Sequence, residues 1–508
     1  MDEKSKTERI EDIAKRRGFF WQASEIYGGL SGFYDYGHLG ALLKHKFEQL
    51  WRTFFLGLND NFYEIDSCNI MPESVFVASG HLASFVDPIV KCRKCGFTER
   101  ADQLIESELK ESFEGLSANE LTELIKKHRM HCPKCKGELE DVGILNMMFP
   151  VNIGTGEDAK TAYLRPETAQ AVYVNFKREF ECLRKKMPLG LAIIGKAYRN
   201  EISPRNLLIR MREFTQAELQ IFFDPDKIDT HDKFEEISDY KLRLFSVADR
   251  KIGRVDDMTC REVVKKLHLP QFYVYHLAMI QQFYIDVLKL PAERFRFREL
   301  SEEERAFYNR IHWDIELNLE SLGGWKEVGG LHYRGDHDLG GHQKVSKQDL
   351  SVNIDGKKFT PHVLELSFGV DRNVYALLEL AYEEEKERTI LRFPRLVSPY
   401  DAGVFPLVSK DELPGKARDV HSMLKEHGFT VFYDESGSIG RRYRRMDEIG
   451  VAASITVDHT TLEDNTITIR DRDSMQQVRV RVEDLPSVLK KFLDGEKIEK
   501  LGIVIRGE

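Results

Sequence analysis

Residues 195–223, GKAYRNEISPRNLLIRMREFTQAELQIFF, gather Arg199, Glu201, Arg210, Arg212, Phe214 and Glu218 within one short length of chain. A nucleoside triphosphate asks for these residue types: guanidinium groups for its phosphates, a flat ring for a purine and a carboxylate for Mg²⁺. A second string, GVDR at 369–372, supplies Arg372. The chain contains no GxxxxGK[ST] string, so a Walker-type phosphate loop is excluded and any nucleotide must be held another way.

Seven cysteines are present, and four of them form two CxxC pairs, Cys92/Cys95 and Cys132/Cys135. Each pair can present two thiolates in a knuckle, and four thiolates close a tetrahedral zinc site with no open position, which makes it structural rather than catalytic. Gly96 and Gly137 stand where tight knuckles need them, and His131 is an adjacent alternative ligand. Cys68, Cys182 and Cys260 read as buried apolar residues. An odd count without secretory features argues against a disulfide framework.

The elements that must position these groups can be read from pattern. Residues 195–223 form two strand-like halves around a polar loop with Pro204, Arg205 and Asn206, the signature of an antiparallel hairpin. On such a strand Arg199 and Glu201 share a side. Residues 41–55 have helical periodicity, and a strand-like stretch at 61–70 follows and ends at Pro72. The intervening residues 91–145 form an insert that opens and closes with a CxxC, with capping-box spacing at Ser117 and Glu120. Strand character returns over 146–225, residues 226–320 look mainly helical, and strands resume at 325–332 and 362–368 before a helix from 369. A charged boundary at 382–395 precedes alternating strands and helices over 396–508, a small α/β domain.

The 508 residues suggest two to four domains. A net charge of −9 with 31% charged and 42% hydrophobic residues fits a soluble globular protein and argues against a general polyanion binder, while leaving room for local basic patches. No apolar run reaches membrane-spanning length. The charged N-terminus, MDEKSKTERIEDIAKRRG, lacks an apolar core for secretion, so the expected compartment is the cytoplasm.

The string RNE at 199–201 resembles motif 2, and GVDR at 369–372 resembles motif 3, of the class II aminoacyl-tRNA synthetases. LRPETAQAVY (164–173), REFTQAELQIF (212–222) and LELSFGVDR (364–372), in this order, resemble the glycyl-tRNA synthetases of the homodimeric archaeal and eukaryotic type, a likeness that runs from ASEIYGGLSGFYDYGHLG (23–40) to IRDRDSMQQVRV (469–480). The resemblance implies an α+β protein. Its class II catalytic domain, an antiparallel sheet with helices, would span 1–90 with motif 1, 146–225 with motif 2 and 321–390 with motif 3. A zinc-ribbon-like insert at 91–145, a helical insertion at 226–320 and an anticodon-binding domain at 396–508 complete it. It implies activation of glycine with ATP to glycyl-adenylate, transfer to the 3′ end of tRNA(Gly), and a homodimer formed through the motif 1 helix, strand and proline.

It also implies roles. Arg199 binds the α-phosphate and the glycine carboxylate, and Glu201 accepts from the adenine amino group or helps hold a metal. Phe214 and Arg372 sandwich adenine. Asn200, Ile209, Arg210, Met211, Arg212, Glu213, Glu327, Val328, Gly369, Val370 and Asp371 complete the ATP site, with Glu327 and Glu201 as Mg²⁺ ligands. Glu167, Glu218, Glu365 and Ser367 surround the small ammonium of glycine and exclude a side chain. Thr215, Gln216, Ala217, Leu366 and Phe368 lie in the same strings. Arg100 and Arg334 resemble substrate-contacting arginines, and Arg441, Arg442, Arg444 and Arg445 are candidates for contact with the tRNA. Two other readings compete: a non-catalytic relative such as the accessory subunit of mitochondrial DNA polymerase, against which the intact motif residues argue, and a synthetase for threonine, serine or proline, against which the acidic trio argues.

Overall fold

Polar and apolar residues alternate in REFTQAELQIFF, HWDIELNL, GLHYRG and HVLELSFG, a pattern that dictates strands with one wet and one dry face. In a computed structural model, which describes residues 4–109, 113, 116–306, 308–386 and 388–505, these strings are neighbours in one nine-stranded sheet. Its strands in chain order are β1 (Phe62–Glu64), β2 (Leu189–Tyr198), β3 (Glu213–Phe223), β4 (Lys241–Phe245), β5 (Asp256–Thr259), β6 (Phe295–Glu299), β7 (Ile311–Leu319), β8 (Gly324–Gly335) and β9 (His362–Gly369). Their spatial order is β5-β4-β6-β7-β8-β9-β3-β2-β1, antiparallel except for the β1/β2 and β4/β6 pairs.

The dry face carries Leu219, Ile221, Leu331, Ile315, Leu364, Leu366 and Phe368, all fully buried. Against it pack α1 (His38–Trp51), through Leu43, Phe47 and Trp51, and helices from later in the chain. Phe368 lies 4.9 Å from Phe55 and 5.9 Å from Trp51, centroid to centroid. Each such side chain contributes about 1.5–3 kcal/mol on burial, so this layer fixes the strand register. The wet face is covered at one end by α2 (Ala169–Cys182), whose Tyr173 donates to Gln220 Oε1 at 2.8 Å. Beneath the dry face runs the apolar α3 (Gln271–Gln282), and α4 (Val370–Ala381) leaves directly from the end of β9.

The cysteine-bearing unit is a three-stranded sheet with two helices and its own small core around Leu104, Ile105, Leu121 and Ile125. Ser117 and Glu120 form a capping box at the start of Ala118–Lys127. At the C-terminus β10 (Ala402–Pro406), β11 (Val431–Tyr433), β12 (Ala453–Val457), β13 (Thr466–Asp471), β14 (Gln477–Arg481) and β15 (Ile503–Ile505) build a mixed sheet in the order β11-β10-β12-β13-β14-β15, with a separate core and helix α5 (Ile439–Ile449). No helix among the described residues is long and apolar enough to cross a membrane.

Several expectations need correction. Residues 226–320 carry strands as well as helices: KLRLF, FRFRE and IHWDIELNL alternate with period two and extend the central sheet as β4, β6 and β7, beside the helices. The single strand at 61–70 is two, β1 and Ile70–Pro72, which belong to different sheets. Cys68 and Cys182 are exposed, and of the three unpaired cysteines only Cys260 is buried. Arg442 is 1% exposed and donates to the carbonyls of Pro406 and Gly437, while Arg445 pairs with Asp434. Both therefore hold the C-terminal domain together, and Arg441 stands out in solvent.

Candidate active site

Register places the wet-face residues in rows across the sheet. Glu218 on β3 faces Ser367 on β9, which faces Gly330 on β8, which faces Asp314 on β7. One step along, Gln220 faces Glu365, Glu365 faces His332 and His332 faces His312. These rows floor a cleft of about 590 Å³, roofed by the loop after β2, by Leu300, Ala306, Tyr308 and Asn309 and by Arg100 of the cysteine-bearing unit. The size suits a small-molecule ligand.

At its deep end Arg334 is 3% exposed. It donates to Asp338 through Nε (2.8 Å) and Nη2 (3.0 Å) and to Glu365 Oε2 through Nη1 (2.9 Å), and Glu167 Oε1 lies 3.6 Å away. Gln170 bridges Glu167 and Asp338. The Tyr308 ring lies 4.4 Å from the guanidinium carbon. Glu365 also accepts from Gln220 (2.8 Å) and His332 (2.8 Å). Glu218 differs: it accepts only from the hydroxyls of Thr168 (2.6 Å) and Ser367 (2.9 Å), and among the described residues it has no ion-pair partner.

The electrostatics follow. Burial opposes ionisation of all three carboxyls, but Arg334 and His81 hold Glu167, and Arg334 and His332 hold Glu365, below the usual carboxylate range. Burial, reinforced by the charges of Glu365 and Glu167, pushes Glu218 up to about 8. The pocket thus has one surplus carboxyl that a small ligand cation would ionise. A buried, uncompensated acid of this kind is a functional signature.

At the other end Arg199 lies between the rings of Phe85 (5.4 Å) and Phe214 (5.3 Å) and donates to the Pro166 carbonyl. Glu201 takes Arg210 on Oε2 at 2.9 Å, while its buried Oε1 has no partner; the buried Thr215 Oγ1 and Gln216 Oε1 are likewise unpaired. Unpaired buried acceptors bordering a cleft are what a ligand bearing N–H groups would satisfy. Arg372 donates to the Ile209 carbonyl (3.0 Å) and to Glu327 Oε1 (2.8 Å), so the guanidinium is fixed from both sides.

The cleft brings together Arg100, Glu167, Arg199, Glu201, Ile209, Arg210, Met211, Phe214, Thr215, Gln216, Glu218, Glu327, Arg334, Glu365, Ser367, Gly369, Asp371 and Arg372. Others stand elsewhere. Ala217, Val328, Leu366, Phe368 and Val370 are fully buried in the core, because strand alternation turns them to the dry face or helix packing draws them in. Arg212 is spent on the carbonyls of Glu201 and Ser31, tying the loop to the N-terminal segment. Glu213 pairs outward with Lys196, and Asn200 joins the loop to Met147 through its backbone. Asp371 borders the cleft, but its two oxygens are taken by Tyr36 and the backbone N–H of Thr215. Arg199 and Glu201 follow the end of β2 and lie in the loop rather than on a strand. Sequence reasoning missed His312, Asp314, His332, Tyr308 and Asn309; the alternation of His312, Asp314 and Glu316 with Trp313, Ile315 and Leu317 was the available signal for the first two.

Cys92, Cys95, Cys132 and Cys135 bring four Sγ atoms within 4.8 Å of one another. Opposing thiols are 3.5 and 3.7 Å apart, and backbone N–H groups of Gly96 and Lys136 close the two knuckles. A Cβ at Gly137 would stand 3.2 Å from the sulfurs of both Cys92 and Cys135. The four-sulfur donor set fits a tetrahedral metal. The unit also reaches the cleft: Glu99 accepts from Ser203, Arg205 donates to Gln103 at 2.6 Å, and Arg100 is held by Asp87 and Asp102.

An antiparallel sheet with a polar row, an arginine at the end of the first hairpin strand and another on the helix after the last strand define a class II synthetase core. Residues 154–381 match the tRNA synthetase class II core domain (G, H, P, S and T), and residues 401–492 match the anticodon binding domain. The glycine–tRNA ligase of Thermococcus gammatolerans is 41% identical over 98% of this chain and 100% of its own, that of Pyrococcus furiosus 41% over 96% and 99%, and that of Aeropyrum pernix 40% over 98% and 99%. In three dimensions the chain resembles the prolyl-tRNA synthetase of Cryptosporidium parvum, solved with L-proline and AMP, at a TM-score of 0.56 and 14% identity over 97% of this chain and 76% of that one, a likeness of fold. The chain belongs to the glycine–tRNA ligase family of class II aminoacyl-tRNA synthetases.

Proposed function

We propose that this chain activates glycine with ATP and transfers it to the 3′ end of tRNA(Gly). The observation that carries the reading is Glu218: a buried carboxyl that, among the described residues, has no cation at ion-pair distance, in a pocket already crowded by Glu167, Glu365, Arg334 and Tyr308. An α-ammonium completes that charge set, and the crowding leaves a side chain nowhere to go.

In the first step an oxygen of the glycine carboxylate attacks the α-phosphorus of ATP. The bond to the bridging oxygen breaks and pyrophosphate leaves. Arg199, held between two rings, faces the charge that builds on the α-phosphate. Phe214 and Arg372 cover the two sides of adenine, and the unpaired Glu201 Oε1 accepts from its amino group. In the second step a ribose hydroxyl of the tRNA terminus attacks the carbonyl carbon, its proton is lost and AMP leaves. No protein nucleophile is needed; positioning dominates. Mg²⁺ bound with ATP would neutralise phosphate charge, with Glu327 as the bordering carboxylate, since Glu201 spends one oxygen on Arg210 and the other on adenine. Zn²⁺ would sit in the four-cysteine site as a structural ion, keeping Arg100 and Gln103 against the hairpin loop.

Exposed Ile70 and Ile153 on the strands after α1 support assembly as a homodimer, and the cytoplasm is the compartment that fits tRNA charging. The test is ATP–pyrophosphate exchange without tRNA across glycine, alanine, serine, threonine and proline. Exchange with glycine alone is expected. Exchange with another amino acid would overturn the pocket assignment, and none at all in folded protein would favour a non-catalytic relative.

A further inference from the structure

Behind Glu365 stands a pair of imidazoles that the chemistry above leaves unused. His332 Nδ1 is 2.8 Å from Glu365 Oε2, and His332 Nε2 is 2.9 Å from His312 Nε2. His312 Nε2 is also 3.0 Å from Asp314 Oδ1, and its Nδ1 is 3.4 Å from Asn309 Nδ2. The rings meet edge to face, 4.1 Å apart. Gly330 makes room for them: a Cβ there would stand 2.6 Å from His332 Nε2 and 3.4 Å from His312 Nε2.

Two ring nitrogens at this distance hold a single proton between them, because two N–H groups would collide and two lone pairs would repel. Glu365, ionised by Arg334, requires an N–H on His332 Nδ1. His332 Nε2 is then the acceptor, and His312 Nε2–H is the donor, shared with Asp314. His312 Nδ1 is left as a lone pair facing the Asn309 amide. Every position in the chain Asn309–His312–His332–Glu365 is satisfied in one direction of donation.

We propose that His332 is a positioning residue for amino-acid recognition, holding Glu365 through a one-proton relay with His312. This rests on the reading of the cleft as a glycine site. With Oε2 pinned by His332 and Arg334 and Oε1 by Gln220, Glu365 cannot turn toward the ligand, and Glu218 is left as the ammonium's partner. A second proton enters the pair at His312 Nδ1, where an Asn309 flip offers its buried and otherwise unpaired Oδ1. The groups around the pair are Glu365 from β9, His312 and Asp314 from β7, Arg334 on its own strand, Glu327 beyond His312, and Glu167 and Glu218 across the pocket. Added positive charge there opposes binding of an ammonium, so acid weakens glycine binding through the relay.

The experiment is glycine-dependent ATP–pyrophosphate exchange at several pH values in the full-length protein and in His332→Ala and His332→Asn. Asparagine keeps an N–H donor where Nδ1 stands but has no second ring nitrogen. His332→Ala is expected to raise KM for glycine about tenfold or more, the scale of a lost hydrogen bond to a charged group, with KM for ATP unchanged. His332→Asn is expected to recover most of that loss at pH 8 and to lack the extra rise in KM that the wild type shows on acidification, when the imidazole pair takes up its second proton. An unchanged glycine KM in His332→Ala, an equal rise in KM for ATP, or identical pH profiles for wild type and His332→Asn would overturn the relay alone. Absence of exchange in the wild type would instead overturn the glycine reading on which it rests.

Discussion

Two buried ionic hubs sit at opposite ends of this molecule. In the cleft, the cation Arg334 is ringed by Asp338, Glu365 and Glu167, with Glu218 behind them. At the junction with the C-terminal domain the anion Asp447, fully buried, takes Arg388 at 2.7 Å and Arg470 at 2.9 and 3.1 Å. The junction is closed: Arg388 also meets Glu385, and the neighbouring Arg472 is satisfied by the Phe393 and Gly450 carbonyls and by Asp473. The cleft is not closed, since its carboxyls outnumber its cations and the surplus sits on Glu218. Buried ion pairs of similar geometry therefore serve different ends. One fixes two domains against each other, and the other leaves a charge for a ligand to complete.

The largest expected effect breaks the closed hub. Asp447→Asn leaves Arg388 and Arg470 without their anion and should cost about 3–5 kcal/mol of stability, read as a lower denaturant midpoint, while the glycine KM of folded protein stays unchanged. Glu218→Gln should do the reverse. The glutamine resembles the protonated acid that the empty pocket already holds, so thermal stability stays at or above the wild type while glycine-dependent exchange falls about 10²-fold; a large drop in Tm would erase the distinction between the hubs. Third comes pH. The Glu218 carboxyl, raised to about 8, carries its proton below that value and must lose it to accept an ammonium. Glycine affinity should then strengthen by up to about tenfold per unit as pH rises from 6 to 8, in wild type and Asp447→Asn alike. The smallest effect separates neighbours on α5: Arg441→Ala, which removes an exposed charge, should raise KM for tRNA a few-fold at most without altering Tm, whereas Arg442→Ala should lower Tm.

How much of this was legible depended on whether a residue's role was local. REFTQAELQIFF and LELSFG announce strands, and alternation alone puts Glu218, Glu365 and Ser367 on one face. The same alternation assigns Ala217, Leu366 and Phe368 to the other face, so reading the strings as contiguous motifs overcounted the site. The cysteine pairs announced their cluster by spacing. Arg334 and Glu365 could be named, but their pairing and the histidines beside them could not, because the cross-strand neighbours His332 and His312 are fixed only once β7, β8 and β9 are in register. Tyr308 and Asn309 come from a loop with no periodicity to read. The junction hub was invisible for the same reason: Arg388 and Asp447 are 59 residues apart.

The cross-strand row has a consequence for how the protein is made. The Ser367 hydroxyl reaches Glu218 across 149 residues of chain, and Arg334, late in that span, meets Glu365 31 residues further on. A nascent chain can finish the cysteine-bearing unit early, with its own core between residues 90 and 130. The amino-acid pocket can make its Thr168–Glu218 and Arg334–Asp338 contacts earlier, but it cannot be completed until β9 has left the ribosome. Any product that terminates before β9 therefore emerges with its metal knuckles formed and its surplus carboxylate facing water, and recognition of the amino acid arrives in one step, late in synthesis.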